Sequence, residues 1–352
     1  MGSYYSFNQN KNILFDIGAR QINLSRIKYI KSKETLLIYI NAQISTAQNA
    51  MFIFTLTYPS SQYQNAGQLL NPMFEIPQSN ITIIEPCLSN YSDMVLLYTD
   101  SEILILKSDN FQNQIKQHAL FNDGGNLFKK FCFTSNDSKI ICASYSGYIS
   151  IYDINQGKKN EIINQHLVSD QSLLLTDICN IDHDMFQNCF CISNESGDLS
   201  IYDYDKCIKI SNITGEKNKT RANKELFDNL SYNQINYNLS MNIKDTCTTV
   251  LYDLRKYDKE LCRINFGKRG SIVSQKWNNY YENCLETMFL NRKEIQISKV
   301  EGEGKIDLSE IICNEEINDF IYYYESNGPF GIIQYEKMFE IYSMNENIYF
   351  SS

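Results

Sequence analysis

One octapeptide occurs twice in the chain, fifty residues apart. Ser146-Gly147-Tyr148-Ile149-Ser150-Ile151-Tyr152-Asp153 and Ser196-Gly197-Asp198-Leu199-Ser200-Ile201-Tyr202-Asp203 agree at six of eight positions. Fifty residues further on, Thr248-Thr249-Val250-Leu251-Tyr252-Asp253 again ends in Tyr-Asp. Weaker copies follow at Glu294-Ile295-Gln296-Ile297-Ser298 and at 338–343, and precede at 102–106 and 50–57. Aligned on Tyr152, the repeat is anchored at positions 57, 106, 152, 202, 252, 298 and 342, with spacings of 44 to 50 residues. A period of this size marks a repeat architecture, in which each unit buries its apolar faces only against its neighbours.

Each repeat has the same internal order. In the third, residues 127–133 read as a first strand and Ser135-Asn136-Asp137-Ser138 as a polar turn. Residues 139–144 read as a second strand, followed by Ser146-Gly147, where glycine supplies the positive φ of a tight hairpin. A third strand spans 148–153, Asn155-Gln156-Gly157 turns the chain, and Glu161-Ile162-Ile163 starts a fourth. The next repeat follows suit with strands over 175–182, 188–193, 198–203 and 207–213. Four short antiparallel strands per repeat make one propeller blade, and helical periodicity is nowhere sustained.

The chain resembles WD-repeat β-propellers, whose third strand typically ends in Trp-Asp. Here Tyr-Asp stands at 152–153, 202–203 and 252–253; the Gly-His dipeptide of that family is absent, and Trp277 lies outside the third strands. An aromatic ring at this position packs between blades, so tyrosine supplies much of the burial of tryptophan. The resemblance spans 27–352 and implies an all-β fold, a seven-bladed β-propeller of four-stranded antiparallel blades. Residues 1–26 form an N-terminal segment outside it. Within that segment, residues 12–17 either supply a closing strand to the last blade or, with residues 21–25, build an eighth.

Charge and cysteine usage narrow the function. Lys and Arg total 32 against 41 Asp and Glu, a net charge of −9, which argues against generic binding to nucleic acid or an anionic bilayer. No stretch approaches the ~20 apolar residues that span a bilayer. The polar start lacks the pattern of a secretory leader, so an intracellular protein, cytoplasmic or nuclear, is expected. The eleven cysteines are scattered, with no CxxC and only three histidines (His118, His166, His183). Cys132, Cys142, Cys189, Cys191, Cys247 and Cys262 sit in apolar runs, and all eleven are expected as reduced thiols. Cys189 and Cys191 flank Phe190 and share one strand face. No metal, cofactor or catalytic residue is expected: GxSxG, GxxxxGK[ST] and HExxH are all missing.

Three segments carry functional alternatives. Val250-Leu251-Tyr252-Asp253-Leu254-Arg255 resembles the WDxR box of propellers that serve cullin–RING ubiquitin ligases as substrate receptors. That resemblance makes Tyr252, Asp253 and Arg255 candidate partner-binding residues; the plainer alternative is a solvated Arg in a turn held by Asp253. Phe266-Gly267-Lys268-Arg269-Gly270 resembles the Phe-Arg-Arg-Gly signature of the phosphoinositide-binding propellers called PROPPINs, with one residue inserted and Lys in place of one Arg. Ser6-Phe7-Asn8-Gln9 is likewise similar to the start of that family. Lys268 and Arg269 are then candidate phosphate ligands; the alternative is a basic turn between blades. Finally, Lys206, Lys209, Lys217, Lys219, Arg221 and Lys224 form a basic stretch, and Glu301, Glu303, Asp307, Glu310, Glu315 and Glu316 an acidic one. Either is solvated surface or a docking patch. The expectation is a non-enzymatic protein–protein interaction scaffold in a multi-subunit complex. The alternatives are a phosphoinositide-binding membrane effector and a ligase substrate receptor.

Overall fold

The computed structural model describes strands between Ser3 and Ser343. Side chains are described at 102–107, 120–121, 127–155, 174–181, 184–214, 225–233, 235–256, 260–278, 283–290 and 293–300, and at a few positions in 94–98 and 306–320. The described residues are strands, turns and two 3-10 helices, in seven sheets.

Blades are numbered here in chain order. Blade I comprises Gln21–Ile30, Thr35–Ser45, Gln48–Thr57 and Phe74–Gln78; blade II comprises Cys87–Leu88, Met94–Tyr98, Glu102–Ser108 and Ile115–Asn122. Blade III comprises Phe128–Phe133, Lys139–Ser144, Tyr148–Asp153 and Asn164–Leu167. Blade IV comprises Leu175–Asn180, Cys189–Asn194, Leu199–Asp203 and Ile208–Asn212; blade V comprises Phe227–Asn233, Asn238–Ile243, Thr248–Asp253 and Glu260–Asn265. The sixth repeat contributes Ile272–Trp277, Cys284–Phe289, Glu294–Val300 and Ile306–Ile312. The seventh contributes Asp319–Glu325, Gly328–Gln334 and Met338–Ser343. Every repeat anchor therefore falls on a third strand. The chain divides into two compact units, residues 82–277 with 302–304, and the remainder. Blades II–V belong to the first of these.

The N-terminal segment completes the seventh sheet: Asn8–Phe15 runs antiparallel to Met338–Ser343, with Ile13 opposite Phe339. Residues 12–15 and 21–25 lie in different sheets, so the eighth blade is not formed. The boundary expected at 26/27 falls inside the strand Gln21–Ile30. Two sheets also depart from the four-strand pattern. Ser3–Tyr4 lies parallel to Ile306–Ile312, and Gln68–Leu70 lies parallel to Asn8–Phe15. Both cover an outer edge whose peptide groups would otherwise face solvent.

The Tyr-Asp anchor is explained by what each residue touches. Tyr152 is fully buried among residues of blades II and III, its ring 4.9 Å from Phe121 and 6.3 Å, edge-on, from Phe128. Tyr202 packs in the cluster between blades III and IV, stacked on Phe190 at 5.8 Å. The aspartate caps the next turn. Asp153 accepts from Asn155 N at 2.8 Å, Asp203 from Asp205 N and Lys206 N at 2.9 Å, and Asp253 from Arg255 N at 3.0 Å. Side-chain capping of this kind stabilises a turn by about 1 kcal/mol. The turns between second and third strands rest on left-handed backbone at Gly147 and Gly197, and in blade V at Asp245, one residue earlier in the turn.

Without the Gly-His dipeptide, neighbouring blades are tied by other polar links. Phe128 N donates to the Tyr98 hydroxyl at 3.1 Å, and Lys129 Nζ to Leu175 O at 3.2 Å. Thr176 Oγ1 donates to Phe227 O at 2.6 Å, Leu230 N to Asp177 Oδ2 at 2.8 Å, and Trp277 Nε1 to Ser231 O at 3.1 Å. These links lock blades II–V into one body. The nine described cysteines carry free thiols. Burial pushes the Cys179 thiol up to about 12 and raises that of Cys191, opposite it in the next strand, well above its ordinary value. Such thiols are inert as nucleophiles.

Candidate interaction surfaces

Antiparallel blades sort their loops to two ends. One end carries the turns between second and third strands and the links to the next blade. The other carries the first-to-second and third-to-fourth turns. Arg255 follows the third strand of blade V, and Lys268-Arg269 follows its fourth strand, Glu260–Asn265. The two candidate sites thus lie at opposite ends of one sheet, roughly 20 Å apart at ~3.3 Å per residue. The structure does not bring them together.

At the first site, the 3-10 helix Leu254–Lys256 anchors itself with a fully buried Leu254 and leaves the Arg255 side chain half exposed. That side chain folds back. Its Nε donates to Asp253 Oδ1 at 2.8 Å and its Nη2 to Oδ2 at 2.7 Å, while the guanidinium lies 5.5 Å from the Tyr237 ring centre. The hydrogen bond from Arg255 holds the Asp253 carboxyl below its ordinary value, against the opposing effect of burial. Tyr252 packs on the core between blades IV and V, which makes it a packing residue. What this end presents to solvent is a neutralised, stacked plate rather than an open cation.

At the second site, Gly267 (φ +79°) and Gly270 (φ +86°) bracket the two cations, with open space where a Cβ would stand. The glycines serve the backbone path, not a close approach. Asn265 Oδ1 accepts from Gly267 N at 2.9 Å, and Phe266, buried, donates its N–H to Cys247 O at 3.0 Å. Arg269 turns inward and donates to Phe266 O at 3.3 Å. Lys268 is exposed and forms no ion pair among the described residues.

A third surface, at the same end as Lys268, was not legible in the sequence. The inner strands of blades III, IV and V each shift register near their start, between Phe128 and Lys130, Leu175 and Asp177, and Asp228 and Ser231. Bulges of this kind re-aim side chains. They gather Lys129, Lys130, Asp177 and Asp228, with Lys244 and Asp245 beside them. Burial, reinforced by Asp177, pushes the Asp228 carboxyl up to about 6; burial and Lys244 lower Lys129. Around this cluster stand exposed apolar side chains: Leu127 at 65%, Tyr145 at 44% and Leu174 at 38%. They sit on fixed backbone, since Tyr145 N donates to Leu127 O and Glu195 N to Leu174 O, each at 2.9 Å. A leucine one residue ahead of each of three successive inner strands, Leu127, Leu174 and Leu226, was the available signal.

Of the basic stretch, Lys206 pairs with Asp203 at 3.2 Å and Lys209 is exposed. Lys217, Lys219, Arg221 and Lys224 lie outside the described residues, as do the side chains of Glu301, Glu303, Asp307 and Glu315. Among the described residues no helix is long and apolar enough to cross a membrane.

No protein-family profile matches the chain, and no curated protein does. Solved structures match it widely: 1363 chains do, so the likeness by itself selects no partner. One belongs to "COPII on membranes, outer coat vertex", with a TM-score of 0.70 and 12% identity over 95% of this chain and 85% of that one. Another belongs to "The structure of the COPII coat assembled on membranes", also at 0.70 and 12%, where this chain covers 47% of the matched one. At that identity the likeness establishes the fold alone, an all-β, seven-bladed β-propeller of four-stranded antiparallel blades as expected from the repeat.

Proposed function

We propose that the protein is a non-enzymatic interaction scaffold, a propeller subunit of a larger intracellular assembly. The observation that carries this reading is the set of exposed apolar side chains, Leu127, Tyr145 and Leu174, on hydrogen-bonded turns at one end of blades III and IV. Apolar and aromatic anchors held on rigid backbone, rimmed by charge, are what a protein partner buries at small entropic cost. That the solved neighbours are parts of an assembled coat agrees with this. A ligase-receptor role would use Arg255, whose fork is occupied by Asp253. A phosphoinositide-binding role keeps only Lys268 as an outward cation.

Affinity purification with mass spectrometry tests the reading. The wild-type chain should retain a defined set of proteins, and the Leu127→Lys, Leu174→Lys double variant should lose them while eluting at the wild-type volume with the wild-type melting temperature. A wild-type chain that purifies alone under the same conditions rejects the scaffold.

A further inference from the structure

We infer that the segment a partner lays on the Leu127, Tyr145 and Leu174 surface is basic as well as apolar, with arginine or lysine side chains that meet Glu195, Asp228 and Asp245. This rests on the scaffold reading of that surface and deepens it by fixing the chemistry of the occupant.

The inference begins with one position that three successive blades fill differently. Tyr145, Glu195 and Lys244 each follow a second strand. Each donates its backbone N–H to the leucine ahead of the inner strand, to Leu127 O and Leu174 O at 2.9 Å and to Leu226 O at 2.8 Å. The backbone frame is thus the same in blades III, IV and V, while the side chain it carries changes from aromatic to acidic to basic. The exposed apolar groups lie on blades III and IV, and the carboxylates follow on IV and V. A segment laid across this end meets leucine and tyrosine first and carboxylates next.

Charge selects the occupant, because the cations here have partners and the carboxylates do not. Lys129 Nζ donates to Leu175 O at 3.2 Å and lies 5.8 Å from the Tyr145 ring centre, and Lys130 Nζ stands 3.9 Å from Asp177 Oδ1. Glu195 and Asp245 are exposed, and neither forms an ion pair among the described residues. Asp228 is half-buried, and its side-chain hydrogen bond comes from Asn229 Nδ2 at 3.3 Å. Facing Asp228 are Asp177 on blade IV, Lys130 on blade III, and Lys244 and Asp245 on its own blade. Burial, Asp177 and Asp245 outweigh the two lysines and push the Asp228 carboxyl up to about 6. Of these facing cations, Lys244 is exposed and forms no ion pair among the described residues. One such lysine leaves three carboxylates short of positive charge, and a partner's guanidinium or ammonium supplies it. The same excess repels an anionic bilayer, a nucleic acid, and this face of a second copy.

Heptapeptides that alternate leucine with arginine, with citrulline (the shape of arginine without its charge) or with glutamate are the probes, titrated into the purified chain by fluorescence anisotropy. The arginine peptide should bind saturably, about tenfold tighter than the citrulline peptide, and the glutamate peptide should not bind. Its affinity should fall with added salt, and fall again from neutral to acid pH as Asp228 takes up a proton. Glu195→Gln, Asp228→Asn and Asp245→Asn together should bring it down to the citrulline level. Asp184→Asn, which removes an exposed carboxylate at the opposite end, should leave it unchanged. The uncharged citrulline peptide should bind equally well when Lys217, Lys219, Arg221 and Lys224 are all changed to Gln. A gain there would assign the surface to this chain's own linker and overturn the partner. Full affinity in the triple variant, or no saturable binding, also overturns the inference. If arginine and citrulline peptides bind alike and Leu127→Lys, Leu174→Lys releases both, the docking surface stands and its basic occupant falls. Failure of the scaffold reading is seen separately, in a chain that purifies alone.

Discussion

Blades IV and V are built on the same skeleton and use it differently. Both carry a Tyr-Asp anchor on the third strand, an aspartate-capped turn after it, and a register shift at the start of the inner strand. In blade IV the anchor ring, Tyr202, is buried and stacked; in blade V, Tyr252 is half-buried opposite Leu239. In blade IV the inner aspartate, Asp177, accepts from Ile178 N and Leu230 N; in blade V, Asp228 accepts from Asn229 Nδ2 at 3.3 Å. The outer strand of IV shows Ile208 and Ile210 to solvent, while that of V carries Arg263 paired with Glu225 and Glu260. The repeat thus specifies the backbone, while the residues between its fixed points decide which blade holds the body together and which is open to partners.

The largest effect should come from the two tyrosines. Tyr202→Ala removes a buried, stacked ring, and aromatic-to-alanine changes in cores cost about 3–5 kcal/mol. Tyr252→Ala removes a half-buried one and should cost roughly half as much. Urea unfolding of the two variants measures both. Equal costs would mean that the blades share one packing scheme and would dissolve the contrast.

The inner aspartates should respond in opposite directions. Asp177→Ala leaves the part-buried Leu230 N–H without its acceptor and should destabilise by about 1–2 kcal/mol. Asp228 has a folded pKa of about 6 against 3.8 for the free side chain. A carboxyl raised on folding disfavours the folded state once it ionises, so this penalty is absent below the lower value and complete above the higher. Wild-type stability should therefore fall as pH rises through that window. Asp228→Asn should remove this fall and gain about 1 kcal/mol at neutral pH, a discounted value for a group in contact with solvent. Thermal melts of both proteins on either side of the window give the difference. A variant that keeps the wild-type pH profile would show that Asp228 is not the group responsible.

What the sequence made legible was whatever acts locally. The strands Lys139–Ser144 and Tyr148–Asp153 coincide with their expected bounds, because hairpin turns and strand alternation are read within a few residues. The fourth strand of blade III is seen at Asn164–Leu167, and its expected start at Glu161 lies outside the described residues. The link of Asp177 to Leu230, 53 residues away, left no trace, since a bulge breaks the alternation that would have marked it. Ile208-Lys209-Ile210 reads as an ordinary strand; only its position outermost in the sheet leaves these side chains exposed. The adjacency of Lys268 and Arg269 suggested a paired site, yet one of the two donates to its own loop. That the aspartate of the anchor holds the next turn was readable, because cap and turn are two residues apart.

The smallest expected effect concerns the cations that follow the two anchors. Arg255 meets Asp253 through two hydrogen bonds with its guanidinium carbon 5.5 Å from the Tyr237 ring centre, whereas Lys206 meets Asp203 at one point and is 73% exposed. A bidentate, stacked guanidinium loses less freedom per bond than an ammonium on a flexible stem. Arg255→Ala should therefore cost about 0.5–1 kcal/mol and Lys206→Ala no more than a few tenths. The hydrogen bond from Arg255 lowers the pKa of Asp253, so this stabilisation is present above the ordinary carboxylate value and lost as pH falls through the lowered one. The gap between the two variants should accordingly close in acid, where Asp253 is protonated and the pair is gone. Urea midpoints at neutral and acid pH test this, and a gap that persists in acid would assign the role of Arg255 to its stacking on Tyr237 rather than to charge.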